Sequence, residues 1–166
     1  NMLNSINTLL YIDTEKASYS ITKLSDFLRH LIYQSHQEQV FLTSELRFLS
    51  DYLSLEAMRR DDFTYELTYS EKNIQGIQIP PNTLLILAEN AVKHSMDALA
   101  LSYIYIQCEA KEGFLHFSVR NSVPSQPNPK HICSGIGLPN LSRRLELLYG
   151  EYFSLSQERL PQEYIV

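Results

Sequence analysis

Apolar residues along this chain change their spacing once, near residue 60, and that change separates two differently built halves. Before it the period is helical. Leu3, Ile6, Leu9 and Leu10 recur at helical intervals from Met2 to about Ile12, and Ile21, Leu24, Leu28, Leu31 and Ile32 do so from Tyr19 to Tyr33. A third set, Leu46, Leu49, Leu53 and Met58, runs to about Arg59. Ser20 or Thr22 is placed to cap the second helix and Thr43 the third. From Phe63 the period becomes two. Strands are expected over Phe63 to Tyr69, Ser102 to Ala110 and Phe114 to Asn121, the last two joined by a turn at Glu112-Gly113. A final strand pair is expected at Tyr152 to Ser156 and Tyr164 to Val166. Two helices interrupt the strands, Pro80 to Met96 and Pro139 to Tyr149, the latter with proline in its first turn and Gly150 just past its end. This order predicts an α+β fold, a helical hairpin followed by a mixed sheet with helices on one face. A doubly wound parallel sheet would need a helix between each pair of strands, and these are absent from the pattern.

Composition narrows the classes. A 44% hydrophobic content with 20% charged residues is ordinary globular usage, and 166 residues suffice for one substantial core with a small helical appendage. The formal charge of −5 provides no footprint for nucleic acid, and no polybasic cluster suggests a membrane surface. Apolar runs fall far short of the ~20 residues a membrane span requires. Cys108 and Cys133 fit no metal spacing, and a reduced environment accounts for them.

The chemistry is concentrated in the first of the two later helices. At 100° per residue, Leu84, Leu87, Ala88 and Ala91 share an apolar stripe, while Asn90, Lys93, His94 and Asp97 project from another face. An amide oxygen can ligate a hard cation such as Mg²⁺, and the ammonium and imidazole can donate to phosphate. Some forty residues on, Gly135-Ile136-Gly137-Leu138 leads into a helix and would offer backbone N–H groups to the same phosphates. Each feature alone is an ordinary helix face or turn. The ordered pair is the informative signal.

With that pair in view, the chain resembles the ATP-binding domain shared by histidine kinases, gyrase, Hsp90 and MutL (the GHKL, or Bergerat, superfamily), and most closely LytS-type sensor histidine kinases. Asn1-Met2-Leu3-Asn4-Ser5-Ile6-Asn7 looks like the tail of that family's phosphoacceptor box. Leu42-Thr43-Ser44-Glu45-Leu46, Tyr52-Leu53 and Arg59 resemble its L-x-x-E-L…Y-L…R segment. Ile79-Pro80-Pro81 precedes the asparagine box, and Gly135 to Asn140, Arg144-Leu145 and Leu148-Tyr149-Gly150 match the G-I-G-L-x-N…R-L…L-Y-G run. No P-loop or dinucleotide-binding glycine motif competes.

The resemblance implies a helical phosphoacceptor and dimerisation segment at 1–60 and an ATP-binding catalytic domain at 61–166. It implies ATP and Mg²⁺ as cofactors, with Asn90 the metal ligand and Glu89 assisting phosphotransfer together with Asn90 and Lys93. Asn90, Lys93, His94, Gly135, Ile136, Gly137, Leu138 and Asn140 would hold the nucleotide. Asn121 stands where most of the superfamily has an adenine-reading aspartate, and both glycines of D-x-G-x-G are missing. An amide oxygen still accepts a hydrogen bond. The connection from Ser122 to Ser134 reads as a lid over the nucleotide. Hydrolysing members carry a water-activating glutamate four residues before the metal asparagine; Ile86 stands there, which removes the general base.

The implied function is the catalytic region of a two-component sensor histidine kinase, a transferase passing the γ-phosphate to a histidine and then to an aspartate of a response regulator of LytTR type. The implied setting is the cytoplasmic side of a bacterial inner-membrane protein, dimeric through its N-terminal helices. The alternative is a non-catalytic nucleotide-binding or signalling scaffold. If Asn1 is the last residue of H-F-L-F-N, the acceptor histidine precedes this chain, and His30 and His36 are packing or surface residues. On that reading the chain binds ATP without phosphorylating itself.

Overall fold

The computed structural model describes residues 2–34, 37–95, 100–124 and 136–166. Two helices lead, α1 (Met2–Ile12) and α2 (Thr14–Gln34). Asp13, between them, caps α2: its Oδ1 accepts from the Lys16 N–H at 2.9 Å. The expected caps lie inside the helix instead, where the Ser20 and Thr22 hydroxyls donate to the carbonyls of Lys16 and Ser18. Likewise Thr43 is not a cap, because α3 (Leu42–Arg59) starts one residue before it. That start is set by two short strands the apolar period does not reveal, β1 (Val40–Phe41) and β3 (Gln78–Ile79), paired antiparallel. The Leu42 N–H donates to the Ile77 carbonyl at 2.8 Å, so β1 runs directly into the helix.

The second half forms a five-stranded sheet in the order β2-β4-β5-β7-β6. Here β2 is Phe63–Tyr69, β4 Ser102–Lys111, β5 Phe114–Ser122, β6 Glu158–Arg159 and β7 Glu163–Ile165. Only β2 and β4 run parallel, and the crossover between them carries the short α4 (Glu71–Ile74) and the longer α5 (Thr83–His94). The β4–β5 turn falls at Glu112-Gly113, both at positive φ (54° and 84°), the pairing a two-residue hairpin requires. The sheet is therefore mixed.

A correction concerns the end of the chain. No strand forms over 152–156; α6 (Gly137–Tyr149) leaves through a 3₁₀ turn at Gly150–Tyr152, and β6 starts only at Glu158. The free edge of β7 is taken by Glu158 and Arg159, which leaves an earlier strand no ladder to join. Phe153 and Leu155 supply the misleading alternation because both pack on the core.

Along β4 the residues Ser102, Ile104, Ile106 and Cys108 are buried, and the opposite face, with Tyr105, is open. Onto the buried face pack α3, through Leu42, Leu46, Leu49 and Leu53, α5, through Leu84, Leu87, Ala88 and Ala91, and α6, through Leu138, Leu141 and Leu145. A division at residue 60 thus runs between α3 and β2, two elements of one core. By contrast α1 and α2 leave Leu3, Leu10, Ile12, Ile21, Leu28 and Ile32 exposed. Helix α2 leans on α3 through a stack of Phe27, His30 and Phe48, with ring centroids 4.7 and 4.2 Å apart, and through a 2.7 Å Lys23–Asp51 ion pair.

Truncation separates the two kinds of helix. Leu53→Ala removes a fully buried side chain and is expected to lower stability by about 2–5 kcal/mol. Leu28→Ala, half exposed, is expected to change it by less than about 0.5 kcal/mol. Urea denaturation midpoints at unchanged slope check both values.

Candidate functional site

Helix α5 is the foundation of the site, and its two ends are held from outside. Asn82, at its N-terminus, adopts the left-handed conformation (φ 61°, ψ 13°), and its side chain makes no cap hydrogen bond. Glu45 of α3 supplies the cap. The Asn82 N–H donates to its Oε1 at 2.9 Å and the Leu84 N–H to its Oε2 at 3.4 Å. Glu45 is 1% exposed, and burial pushes its carboxyl above the ordinary range, opposed by the two amide donors and by Arg144. Arg144 donates to the Pro81 carbonyl at 3.0 Å, which ties it to this end of the helix.

At the other end Arg60, just past α3, donates to the Val92 carbonyl at 3.4 Å and to Ser102 Oγ at 2.6 Å. Its guanidinium lies 4.5 Å from the centroid of the Phe63 ring. Burial lowers its affinity for protons, and Glu56 counteracts this. The Ser95 N–H and hydroxyl close the last turn on Ala91 and Val92.

Between these ends the predicted face is present. Asn90 and Lys93 are half-buried and His94 is exposed. The helix runs from Thr83 to His94, shorter than the expected Pro80 to Met96, because Asn82 stands left-handed before it and Ser95 caps its end. Asp97 lies outside the described residues. Glu89 keeps solvent contact, yet surrounding protein shields its carboxyl; that shielding, and secondarily the Glu56 carboxylate, raises its pKa. Tyr52 stands in the same field, and burial first, then Glu56 and Glu89, hold its phenol protonated.

Helix α6 meets α5 one turn before Asn90. A Cβ built on Gly137 would lie 3.7 Å from Ile86 Cγ2, an ordinary contact. The protein itself therefore leaves room for a side chain at 137. Ile136 precedes the helix and no side chain caps it, which leaves the first-turn amides of Gly137 and Leu138 as the donors at this end. Leu138 turns its side chain into the core, while Ile136 and Asn140 are exposed. Asn140 also borders a shallow 640 Å³ groove with Pro80, Arg143 and Leu147, which none of Asn90, Lys93, His94 or Asn121 lines. Gly135, Asn1, His36, Cys133 and residues 125–134 of the expected lid lie outside the described residues.

Asn121 is fully buried on β5, on the same face as Val119 and toward α5. Its Nδ2 donates to the Ser122 carbonyl at 2.8 Å, and its Oδ1 has no partner among the described residues. The amide orientation follows from that bond, since a flip would set Oδ1 against the carbonyl oxygen. A buried acceptor left unmade costs about 1–3 kcal/mol.

Glu45 and Arg60 were missed as site residues, although a signal for the first was legible. Glu45 lies on the stripe of Leu42, Leu46 and Leu49, where a carboxylate must find donors. Arg60 had no such mark.

The family model described as histidine kinase matches residues 1–63. The sensor protein LytS of Staphylococcus saprophyticus is 32% identical over 168 residues, covering 93% of this chain and 28% of that protein. LytS of Streptococcus mutans is 30% identical, with 98% and 30% covered, and LytS of Streptococcus agalactiae 28% identical, with 90% and 28% covered. The chain thus spans under a third of the length of these relatives. The histidine kinase ThkA, solved in complex with the response regulator protein TrrA, superposes with a TM-score of 0.50 at 15% identity, covering 99% of this chain and 56% of ThkA. That likeness bears on the fold alone, and it agrees with a GHKL-type domain behind leading helices.

The raised carboxyl of Glu45 predicts a pH dependence. A folded pKa above the unfolded one means its stability contribution is complete below the ordinary value of 4.5 and is lost as pH rises through the folded value. Against Glu45→Gln, which does not titrate, the wild type should lose relative stability as pH rises above the ordinary value of 4.5. Urea melts at several pH values test this, and a parallel pair of curves would contradict it.

Proposed function

Because the chain belongs, over the segment it spans, to the LytS-type sensor histidine kinases, we propose that it contributes the ATP-binding catalytic part of a two-component kinase. The observation that carries this reading is the unpaired Oδ1 of Asn121, buried beside α5. Such an oxygen suits the exocyclic amine of adenine, which donates at the position where guanine carries an acceptor. Nδ2 cannot exchange places with it while bonded to Ser122.

The remaining roles are proposed for residues on α5 and at the start of α6. Mg²⁺, held by Asn90 Oδ1 and phosphate oxygens, would neutralise polyphosphate charge. Lys93 and His94 donate to the phosphates, as do the amides of the loop from Gly135 through Leu138. The 3.7 Å between an ideal Cβ position at Gly137 and Ile86 Cγ2 leaves that backbone uncrowded for a phosphate to approach. Asn140 borders the same helix end. Glu89, with its raised proton affinity, accepts the proton as an acceptor histidine attacks the γ-phosphorus and the bond to the β–γ bridging oxygen breaks. The phosphoryl group then passes to an aspartate of a response regulator, of LytTR type in this family. Catalysis of this kind is mainly positioning and charge stabilisation.

The exposed apolar faces of α1 and α2 suit a helix-bundle contact with a second copy. We place the functional division ahead of α3, since that helix builds the ATP-binding core. Among the described residues no helix is long and apolar enough to cross a membrane, so attachment at the cytoplasmic face would come from other parts of the longer protein.

Calorimetric titration with an ATP analogue, with and without Mg²⁺, tests the metal role. Asn90→Ala should abolish the Mg²⁺ dependence, and an identical dependence in both proteins would refute it. A binding-incompetent wild type would instead favour a signalling scaffold.

Asn121→Leu should weaken ATP about tenfold, because one buried hydrogen bond contributes about 0.5–1.5 kcal/mol. It should also narrow the preference for ATP over GTP. Equal affinity of the wild type for both nucleotides would sink the adenine role.

A further inference from the structure

We infer that Glu45 and Arg60 act as a two-ended brace, positioning residues that set where α5 holds Asn90 and Lys93 against the nucleotide. The inference deepens the ATP-binding reading and rests on it for its ligand.

The geometry is complementary in length, direction and sign. Glu45 and Arg60 stand fifteen residues apart on α3 and its C-terminal neighbour, about 22 Å at ~1.5 Å per residue. The twelve residues of α5 rise about 18 Å. Glu45 meets the N-terminus of α5 and Arg60 its C-terminus, so the helices run parallel and each contact lands on an end. The carboxylate faces the positive end of the helix dipole and the guanidinium the negative end.

An apolar residue at 45 could bury against Leu42 and Leu49. It would leave the amides of Asn82 and Leu84 without their acceptor and Asn82 without its hold in the left-handed region. The brace acts on axial position. A rise of one residue, about 1.5 Å, would shift Asn90 along the helix axis relative to Gly137, whose ideal Cβ position lies 3.7 Å from Ile86 Cγ2, one turn before Asn90. Arg60 fixes the other end in two directions, toward Val92 and toward Ser102 on β4, which ties the turn bearing Lys93 to the sheet.

The test uses the full chain and four variants, Glu45→Leu, Glu45→Gln, Arg60→Met and Arg60→Lys. Two readouts are taken, affinity for an ATP analogue with Mg²⁺ and amide hydrogen exchange along α5. Glu45→Gln keeps an acceptor for the Asn82 N–H and should stay within about threefold of wild type. Glu45→Leu and Arg60→Met should each weaken binding about tenfold or more and speed exchange at residues 82–84 and 92–95, with core strands β4 and β5 unchanged. Arg60→Lys, a point donor in place of a fork, should not restore binding. Local exchange faster at the helix ends with affinity unchanged would overturn the positioning role. Exchange rising equally throughout the domain would overturn the brace itself and leave ordinary destabilisation. Absence of nucleotide binding in the wild type would strike the functional reading instead, and the exchange data would still decide the brace. Should Glu45→Leu fail to fold, the Arg60 pair decides by the same two readouts.

Discussion

A short helix that must present an amide oxygen and cationic nitrogens at one face has no spare groups for its own ends. Its first amides and last carbonyls need partners from elsewhere. In this chain Glu45 of α3 reaches the first turn of α5, and Arg60, just past α3, reaches the last together with the helix's own Ser95. The apolar sides of both helices share one core with β4 and β5, so the polar contacts and the burial act on the same pair. This coupling explains why a helix that the spacing assigns to the leading helical segment is built into the same core as the sheet.

The periodic elements were legible where one face of an element alone decides its burial. The seven-residue β2, the long β4–β5 hairpin and the stripe of Leu84, Leu87, Ala88 and Ala91 are such cases. Legibility failed where a partner decides. Phe153 and Leu155 alternate like a strand, but the edge they would need is occupied by β6. Asp13 outcompetes Ser20 and Thr22 as a cap because it stands at the break between α1 and α2. The strands β1 and β3, two residues each, carry no period at all.

For the site, side-chain type and helical spacing were enough to bring Asn90, Lys93 and His94 to one face, and resemblance added Asn121. What they could not convey is the electrostatic setting. The field of Glu56 on Glu89 and Tyr52, and the capture of Arg144 by the Pro81 carbonyl, depend on contacts between residues far apart in the chain. His30, whose neighbourhood in sequence is uninformative, stacks on Phe48 between α2 and α3, in the manner of a packing residue.

Under the proposed function, a Mg²⁺-bound adenine nucleotide is received between α5, the start of α6 and the buried end of β5. Amide chemical shifts followed by NMR during titration with ADP and Mg²⁺ test it most directly. The account predicts saturable shifts at Asn90, Lys93, Asn121, Gly137 and Leu138, with the open sheet face at Tyr103, Tyr105 and Glu163 unmoved. Shifts confined to that open face, or to the groove along Arg143 and Leu147, would contradict it.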